Sequence, residues 1–190
     1  MGIPVNIANF VSLLRLLLAP VVIWLLLDGQ SGAAFALFLF AGITDAVDGM
    51  IAKRFDQITE LGAYLDPIAD KALLVSVFVT LGVLQELPVW LVLMAVSRDA
   101  LIVGGVLLSY TLGNPLMMRP LLISKANTVA QIGLVAAVLA HISFPELQTA
   151  SAATTLGYAV WLTAATTAVS GGAYIVTWVR AMNPGAAKNG

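Results

Sequence analysis

Six apolar stretches of roughly 20 residues follow one another along this chain, each long enough to carry a helix across a hydrocarbon core about 30 Å thick. They run over about 7–27, 33–54, 61–84, 88–112, 124–143 and 152–180. In hydrocarbon every backbone N–H and C=O must find a partner within the protein, so only helices or a closed barrel can cross. Unbroken apolar runs of this length, rather than alternation at every second residue, select helices. The breaks between them are turn-forming: Asp28-Gly29-Gln30-Ser31-Gly32, Gln85-Glu86-Leu87-Pro88, and the polar stretch from Gly113-Asn114-Pro115 to Arg119-Pro120. The expected fold is an all-α integral membrane protein, a bundle of six transmembrane helices in a single domain over 1–182, with 183–190 as a disordered tail.

Composition agrees. Of 190 residues, 60% are hydrophobic and only 10% are charged, against about 25% charged in soluble domains. Mean hydropathy is +0.97. A net charge of −1 speaks against a nucleic-acid partner. Cysteine is absent, which removes disulfides and thiolate metal sites. The start MGIPVNIANF has neither the basic residues nor the cleavage site of a signal peptide, and Asn6 stands where a myristoylation signal needs Ser or Thr.

Basic residues set the orientation. The connections after the first, third and fifth stretches hold Asp28, Glu86 and Glu146 and no Lys or Arg, whereas Lys53, Arg54, Arg119, Lys125, Arg180 and Lys188 fall on the opposite side. The positive-inside rule then puts both termini in the cytoplasm.

The exception to this apolar pattern is DAVDGMIAKRFDQITELGAYLDPIAD, residues 45–70. Asp45, Asp48 and Gly49 lie at i, i+3 and i+4, and Asp66 and Asp70 at i and i+4, so each set shares one helical face. Two helices joined by a short connection pack antiparallel and can bring both faces to one cavity near the cytoplasmic boundary. Four converging carboxylates in low dielectric need a counter-charge. Hard oxygen donors favour Mg²⁺, Mn²⁺ or Ca²⁺, and a pair of metals about 4 Å apart is suited to clamping a phosphoryl group. Gly49 lets a phosphate or ribose approach the helix, and Lys53, one turn on, adds a positive charge. A structural hydrogen-bonding role, a proton or ion pathway, and a divalent-cation transporter are the competing readings. The transporter lacks the broken midplane helices and symmetric halves expected of it.

The pattern Asp45-x2-Asp48-Gly49-x2-Ala52-Lys53-x8-Gly62-x3-Asp66-x3-Asp70 resembles the signature of the CDP-alcohol phosphotransferases, six-helix membrane enzymes that displace CMP from a CDP-linked donor with an alcohol. This chain has Lys53 where that family usually has arginine, which keeps the charge but not the planar fork. The resemblance implies that Asp45, Asp48, Asp66 and Asp70 hold two divalent metals, Mg²⁺ or Mn²⁺. It makes Asp70 also the base that takes the proton of the attacking hydroxyl. Gly49, Lys53 and Thr59 would contact the nucleotide and its phosphates.

Three further stretches, IANFVSLLRLLLAP, SRDALIVGGVLL and RPLLISKANTVAQIGLVAAVLA, are similar to the CMP-forming cardiolipin synthases, whose donor is CDP-diacylglycerol and whose acceptor is phosphatidylglycerol. The alternative is the sister group of phosphatidylglycerophosphate synthases, which use glycerol 3-phosphate. For the anionic acceptor the candidates are Arg98, Arg119, Lys125 and Asn127, with Asp99 placed to neutralise Arg98. A snorkelling belt at headgroup level is the plainer reading of the basic cluster. Arg15 is expected to point inward, Lys71 to balance charge, and Asn9 and Ser12 to touch the donor's headgroup. Gly104-Gly105 and Ser170-Gly171-Gly172-Ala173 permit close helix approach, inside the bundle or at a homodimer seam. The resemblance favours a homodimer, and the expected location is among the lipids of a bacterial cytoplasmic membrane, with the site opening toward the cytoplasmic leaflet. His141 and the four tryptophans are expected mostly at the interfaces.

Overall fold

A computed structural model describes the backbone of residues 7–55, 60–111 and 122–182, and side chains over 13–44, 71–105 and 122–179. Among the described residues there are six α-helices and no strand. They are α1 Ile7–Leu27, α2 Ser31–Phe55, α3 Glu60–Val83, α4 Val89–Thr111, α5 Leu122–Ser143 and α6 Ala150–Met182, with a 3₁₀ turn at Pro145–Leu147 before α6. The helix ends that have described residues on both sides, at Leu27, Ser31, Val83, Val89, Ser143 and Ala150, fall within two residues of the ends of the apolar stretches, because the same turn residues that interrupt the hydropathy also end the hydrogen-bond ladders.

Two of these ends are built alike. At the end of α1, Gly29 N–H bonds Leu26 C=O and Gln30 N–H bonds Leu25 C=O. At the end of α3, Gln85 N–H bonds Gly82 C=O and Glu86 N–H bonds Leu81 C=O. Both are Schellman closures, which need a left-handed residue just past the helix. Gly29 supplies it with φ +78, and Gln85 does so with φ +64. α6 starts on Thr149, whose hydroxyl accepts the Ala152 N–H at 3.2 Å, an N-cap bond.

The chain divides into two compact units, Met1–Leu87 with Val135–Ala152, and Pro88–Leu134 with Ala153–Gly190. In the first, α1 packs on α2 and α3 around Val22, Phe38, Val77, Phe78 and Leu81. Phe35 meets Phe144 edge-on at 5.8 Å, and the Ser31 hydroxyl bonds the Ile142 carbonyl at 3.2 Å. These contacts hold the start of α2 against the last turn of α5. In the second unit Leu91, Val92, Ala95, Leu134 and Ala164 are buried, and Trp90 and Trp161 stack obliquely at 5.4 Å.

Beside this apolar core the helices bury polar side chains and expose large apolar ones. Arg15, Arg98, Asp99, Asn127, Gln131, Thr163, Thr167 and Ser170 are buried, while Leu17, Trp24, Leu93, Tyr158, Trp161 and Leu162 are exposed. By length and composition α5 and α6 can each cross a membrane, with mean hydropathies of 1.5 over Leu122–Ser143 and 1.3 over Ala150–Val179.

Candidate functional site

The aspartate motif lies on continuous helix. Asp45, Asp48, Gly49 and Lys53 fall within α2, and Asp66 and Asp70 within α3. Helical spacing therefore puts Asp45 with Asp48 and Gly49, and Asp66 with Asp70, on shared faces, on two helices of the same unit that both pack on α1. Asn9 and Ser12 fall in α1. The side chains of all these residues lie outside the described ones, and Thr59 and Arg119 lie outside the described backbone as well. The donor set fits a divalent metal: carboxylate oxygens from two helices are the hard ligands that Mg²⁺ and Mn²⁺ take.

On α1, Arg15 is buried, on the turn after Ser12. Lys71, beside Asp70, is half-buried.

In the second unit the structure resolves a polar centre that sequence reasoning found only in part. Arg98 is 3% exposed. Its Nη1 donates to Asp99 Oδ1 at 2.6 Å, so the expected neutralising pair is present. Its Nε and Nη2 donate to Ser170 Oγ on α6 at 3.2 and 2.6 Å, and Nη2 also donates to Ser124 Oγ on α5. The guanidinium lies 5.7 Å from the centre of the Tyr174 ring, within cation–π range. One side chain of α4 thus ties α5 and α6, which is what a five-donor fork permits and an ammonium does not. Gly171 sits beside it: a Cβ there would stand 3.6 Å from Arg98 Cγ.

Three residues along from Ser124, Asn127 is 0% exposed and meets α6. The Thr166 and Thr167 hydroxyls lie 3.0 and 2.8 Å from its Oδ1, and 3.0 and 2.7 Å from the Thr163 carbonyl oxygen. Each hydroxyl has one proton to give, so it can donate to only one of these two oxygens. Lys125, two residues before Asn127 and so on another face of α5, is exposed. Arg98 and Asn127 are therefore buried in a polar seam, and Lys125 is open to a ligand.

The sequence reading missed Ser124, Thr163, Thr166, Thr167, Ser170 and Tyr174 as partners in this seam. A signal was available. Thr163, Thr167 and Ser170 fall at i, i+4 and i+7 of an otherwise apolar helix, a polar stripe that needs a polar neighbour.

Among the described residues the chain is all-helical, with a buried polar seam on α4, α5 and α6 and acidic residues at helical spacing on α2 and α3. Residues 5–171 match the model of the CDP-alcohol phosphatidyltransferase family, and the chain belongs to that family. It is 37% identical over 153 residues to the cardiolipin synthase (CMP-forming) of Rattus norvegicus, covering 72% of this chain and 51% of that protein. It is 33% identical over 184 residues to the chloroplastic CDP-diacylglycerol–glycerol-3-phosphate 3-phosphatidyltransferase 1 of Oryza sativa, covering 87% and 54%. A probable phosphatidylglycerophosphate synthase of Mycobacterium tuberculosis is 41% identical over 100 residues, half of this chain. The chain spans about half the length of the curated relatives it matches.

Proposed function

We propose that this protein is a phosphatidyltransferase that displaces CMP from CDP-diacylglycerol with phosphatidylglycerol, giving cardiolipin. The observation that carries this is the aspartate pattern from Asp45 to Asp70, carried on α2 and α3 within the stretch that matches the family. The named cardiolipin synthases among the relatives support the acceptor. Glycerol 3-phosphate is the second reading, because one relative, matched over 87% of the chain, carries that acceptor in its name.

In this reading Asp45, Asp48, Asp66 and Asp70 hold two divalent ions. When bound, these ions neutralise the pyrophosphate and the developing charge on CMP. Asp70 takes the proton of the acceptor hydroxyl as its oxygen bonds to the phosphorus that carries diacylglycerol. The bond from that phosphorus to the bridging oxygen breaks, and CMP leaves with the electron pair. Lys53 grips the pyrophosphate, Gly49 admits the nucleotide against α2, and Thr59 contacts it. Lys125 and Arg119 attract the acceptor phosphate. Arg98 and Asn127 shape the acceptor side from within the polar seam.

The many exposed large apolar side chains, which would face lipid, and the buried polar seam support six spans. Both termini and the aspartate motif lie on the cytoplasmic side of a bacterial cytoplasmic membrane. The membrane domain runs over 1–182. The deciding experiment supplies purified protein with CDP-diacylglycerol, Mg²⁺ or Mn²⁺, and either phosphatidylglycerol or glycerol 3-phosphate, and identifies the lipid formed. Cardiolipin is the expected product. Phosphatidylglycerophosphate alone would replace the acceptor, and neither product would end the enzymatic reading.

A further inference from the structure

The buried residues of α1 form one stripe. Arg15, Ala19, Val22 and Leu26 are each no more than 5% exposed and follow one another at helical spacing, whereas Leu13, Leu17, Val21 and Trp24 on the other side are exposed. Within the first unit α1 packs on α2 and α3, so this stripe is the face that meets them. It is apolar except at Arg15, whose guanidinium stays charged in any surroundings.

The stripes it meets end in the aspartate motif. On α2, Ala34, Phe38 and Ala41 are buried, and the same spacing carried on places Asp45 and Asp48 on that face. On α3, Leu74, Val77 and Leu81 are buried, and the spacing carried back places Asp70 and Asp66 on theirs. Heights can be compared from the helix ends that adjoin described turns, Leu27, Ser31 and Val83. The core residues Val22, Phe38 and Val77 lie about 8, 11 and 9 Å from those ends at 1.5 Å per residue, so the three ends serve as one reference level. By the same measure Arg15 lies about 18 Å along α1, Asp45 about 21 Å along α2 and Asp70 about 20 Å along α3. Asp48 and Asp66 lie deeper, each at about 26 Å, and Lys53 deeper still, at about 33 Å.

A buried arginine calls for a counter-charge. The described acidic residues of this unit, Asp28, Glu86 and Glu146, are exposed in turns beyond the helix ends, and Asp99 is taken by Arg98. The carboxylates at the height of Arg15 are those of Asp45 and Asp70. We propose that Arg15 is the built-in counter-charge of the aspartate motif. Its guanidinium bridges Asp45 and Asp70 and holds the two helices of the cradle together before any ion arrives. A fork of five donors can serve two carboxylates at once. Arg15 is thus a positioning residue. This rests on the reading of the motif as a metal cradle and deepens it, since it names what stands against the carboxylates when the ions are absent. Lys71 is the weaker candidate, being half-buried and about 100° around α3 from Asp70.

The test needs no turnover. Purified protein in detergent is melted in EDTA and in saturating Mg²⁺, as parent, Arg15→Lys and Arg15→Gln. Each is made alone and with Asp45→Asn, Asp48→Asn, Asp66→Asn, Asp70→Asn or, as a control in the exposed turn, Asp28→Asn. In EDTA, Arg15→Gln is expected to lower the melting temperature by roughly 10 °C, the scale for breaking a buried pair in a chain of this size. That loss should shrink by half or more when Asp45 or Asp70 is already neutral, and keep its full size beside Asp28→Asn. It should also shrink by half or more in Mg²⁺, because bound ions then supply the missing charge. Arg15→Lys keeps the charge without the fork and should melt between the parent and Arg15→Gln. An equal loss in every background would mean a packing role and overturn the proposal. So would a loss as large with Mg²⁺ as without it, in a protein that the ion stabilises. Relief by Asp48→Asn or Asp66→Asn, but by neither Asp45→Asn nor Asp70→Asn, would overturn the assigned level. Should Arg15→Gln alone fail to fold, Asp45→Asn or Asp70→Asn is expected to restore a cooperative melt, and failure of both would count against the pairing. Background dependence in EDTA with no response of any protein to Mg²⁺ would keep the pairing and reject the metal cradle. A metal response in the parent without background dependence would keep the cradle and remove Arg15 from it.

Discussion

Ser170 Oγ receives two hydrogen bonds from a single guanidinium, from Arg98 Nε at 3.2 Å and from Nη2 at 2.6 Å. With Asp99 at 2.6 Å on Nη1, the arginine is held in place by its own chain before any ligand arrives. Its first role is to join α4, α5 and α6. Ser170→Ala is expected to cost about 1.5–3 kcal/mol, the range for hydrogen bonds to a charged group. Arg98→Ala should cost more, about 3–5 kcal/mol, because it breaks a buried pair. Arg98→Lys should fall between, keeping the charge without the fork. Denaturant or thermal unfolding in detergent measures all three. An Arg98→Ala protein that melts like the parent would show that the seam does not depend on this side chain.

The matched closures at Gly29 and Gln85 give a prediction of opposite sign at two equivalent sites. A left-handed conformation costs an L-residue about 1–2 kcal/mol, which glycine avoids. Gln85→Gly should therefore stabilise the protein by up to about 1 kcal/mol, and Gly29→Ala should destabilise it by a similar amount. Steric room is not the issue at Gly29, where nothing lies within 4 Å of a built Cβ. A fall in melting temperature for Gln85→Gly would mean that Gln85 contributes more through its side-chain bond to the Gly82 carbonyl than it loses in backbone strain.

These two comparisons also show what the sequence could and could not disclose. Helix boundaries were legible because Gly29, Pro88 and the Glu86 turn break both hydropathy and the backbone ladder. The Arg98–Asp99 pair was legible because two buried opposite charges side by side have little else to do. The partners of Arg98 on α5 and α6 were not, because Ser124 and Ser170 are short polar residues that are common in membrane helices and lie 26 and 72 positions away. Asn127 reads as a companion of Lys125 when only distance along the chain is considered. The turn of the helix separates them, burying one against Thr166 and Thr167 and leaving the other exposed.

If Asp70 is the base, Asp70→Asn should lower CMP release by about 10²–10⁴-fold, the range for loss of general acid–base catalysis, while the protein still folds. The proposed metal role has a readout that needs no turnover. Saturating Mg²⁺ or Mn²⁺ at about 100 times the dissociation constant should stabilise the native protein by about 2.7 kcal/mol, seen as a rise in melting temperature that a chelator reverses. Asp45→Asn and Asp48→Asn should each abolish most of that rise. Equal stabilisation of parent and variants by metal would place the ions elsewhere.

Lys53 stands where the family usually carries arginine. If it grips the donor's pyrophosphate, Lys53→Ala should raise the CDP-diacylglycerol KM, and Lys53→Arg should keep it near the parent value or lower it, since the fork binds phosphate through two bonds. The acceptor KM should not move in either variant. Unchanged donor kinetics in Lys53→Ala would remove the residue from the site.

Orientation can be read directly, because the chain has no cysteine and any one introduced is the only thiol. Gly32 is exposed at the start of α2, with nothing within 4 Å of a built Cβ, so Gly32→Cys fits without repacking. Glu146 is exposed in the turn before α6. In the proposed topology, argued from the distribution of Lys and Arg, both would lie on the outer side. In intact cells, Gly32→Cys and Glu146→Cys should react with a membrane-impermeant maleimide, and Lys188→Cys only after permeabilisation. Labelling of Lys188→Cys in intact cells, with protection of the other two, would invert the bundle and put the aspartate motif on the outer side. Reaction of Gly32→Cys but not Glu146→Cys would instead mean that the chain crosses the membrane an odd number of times between them, and the six-span arrangement would fall.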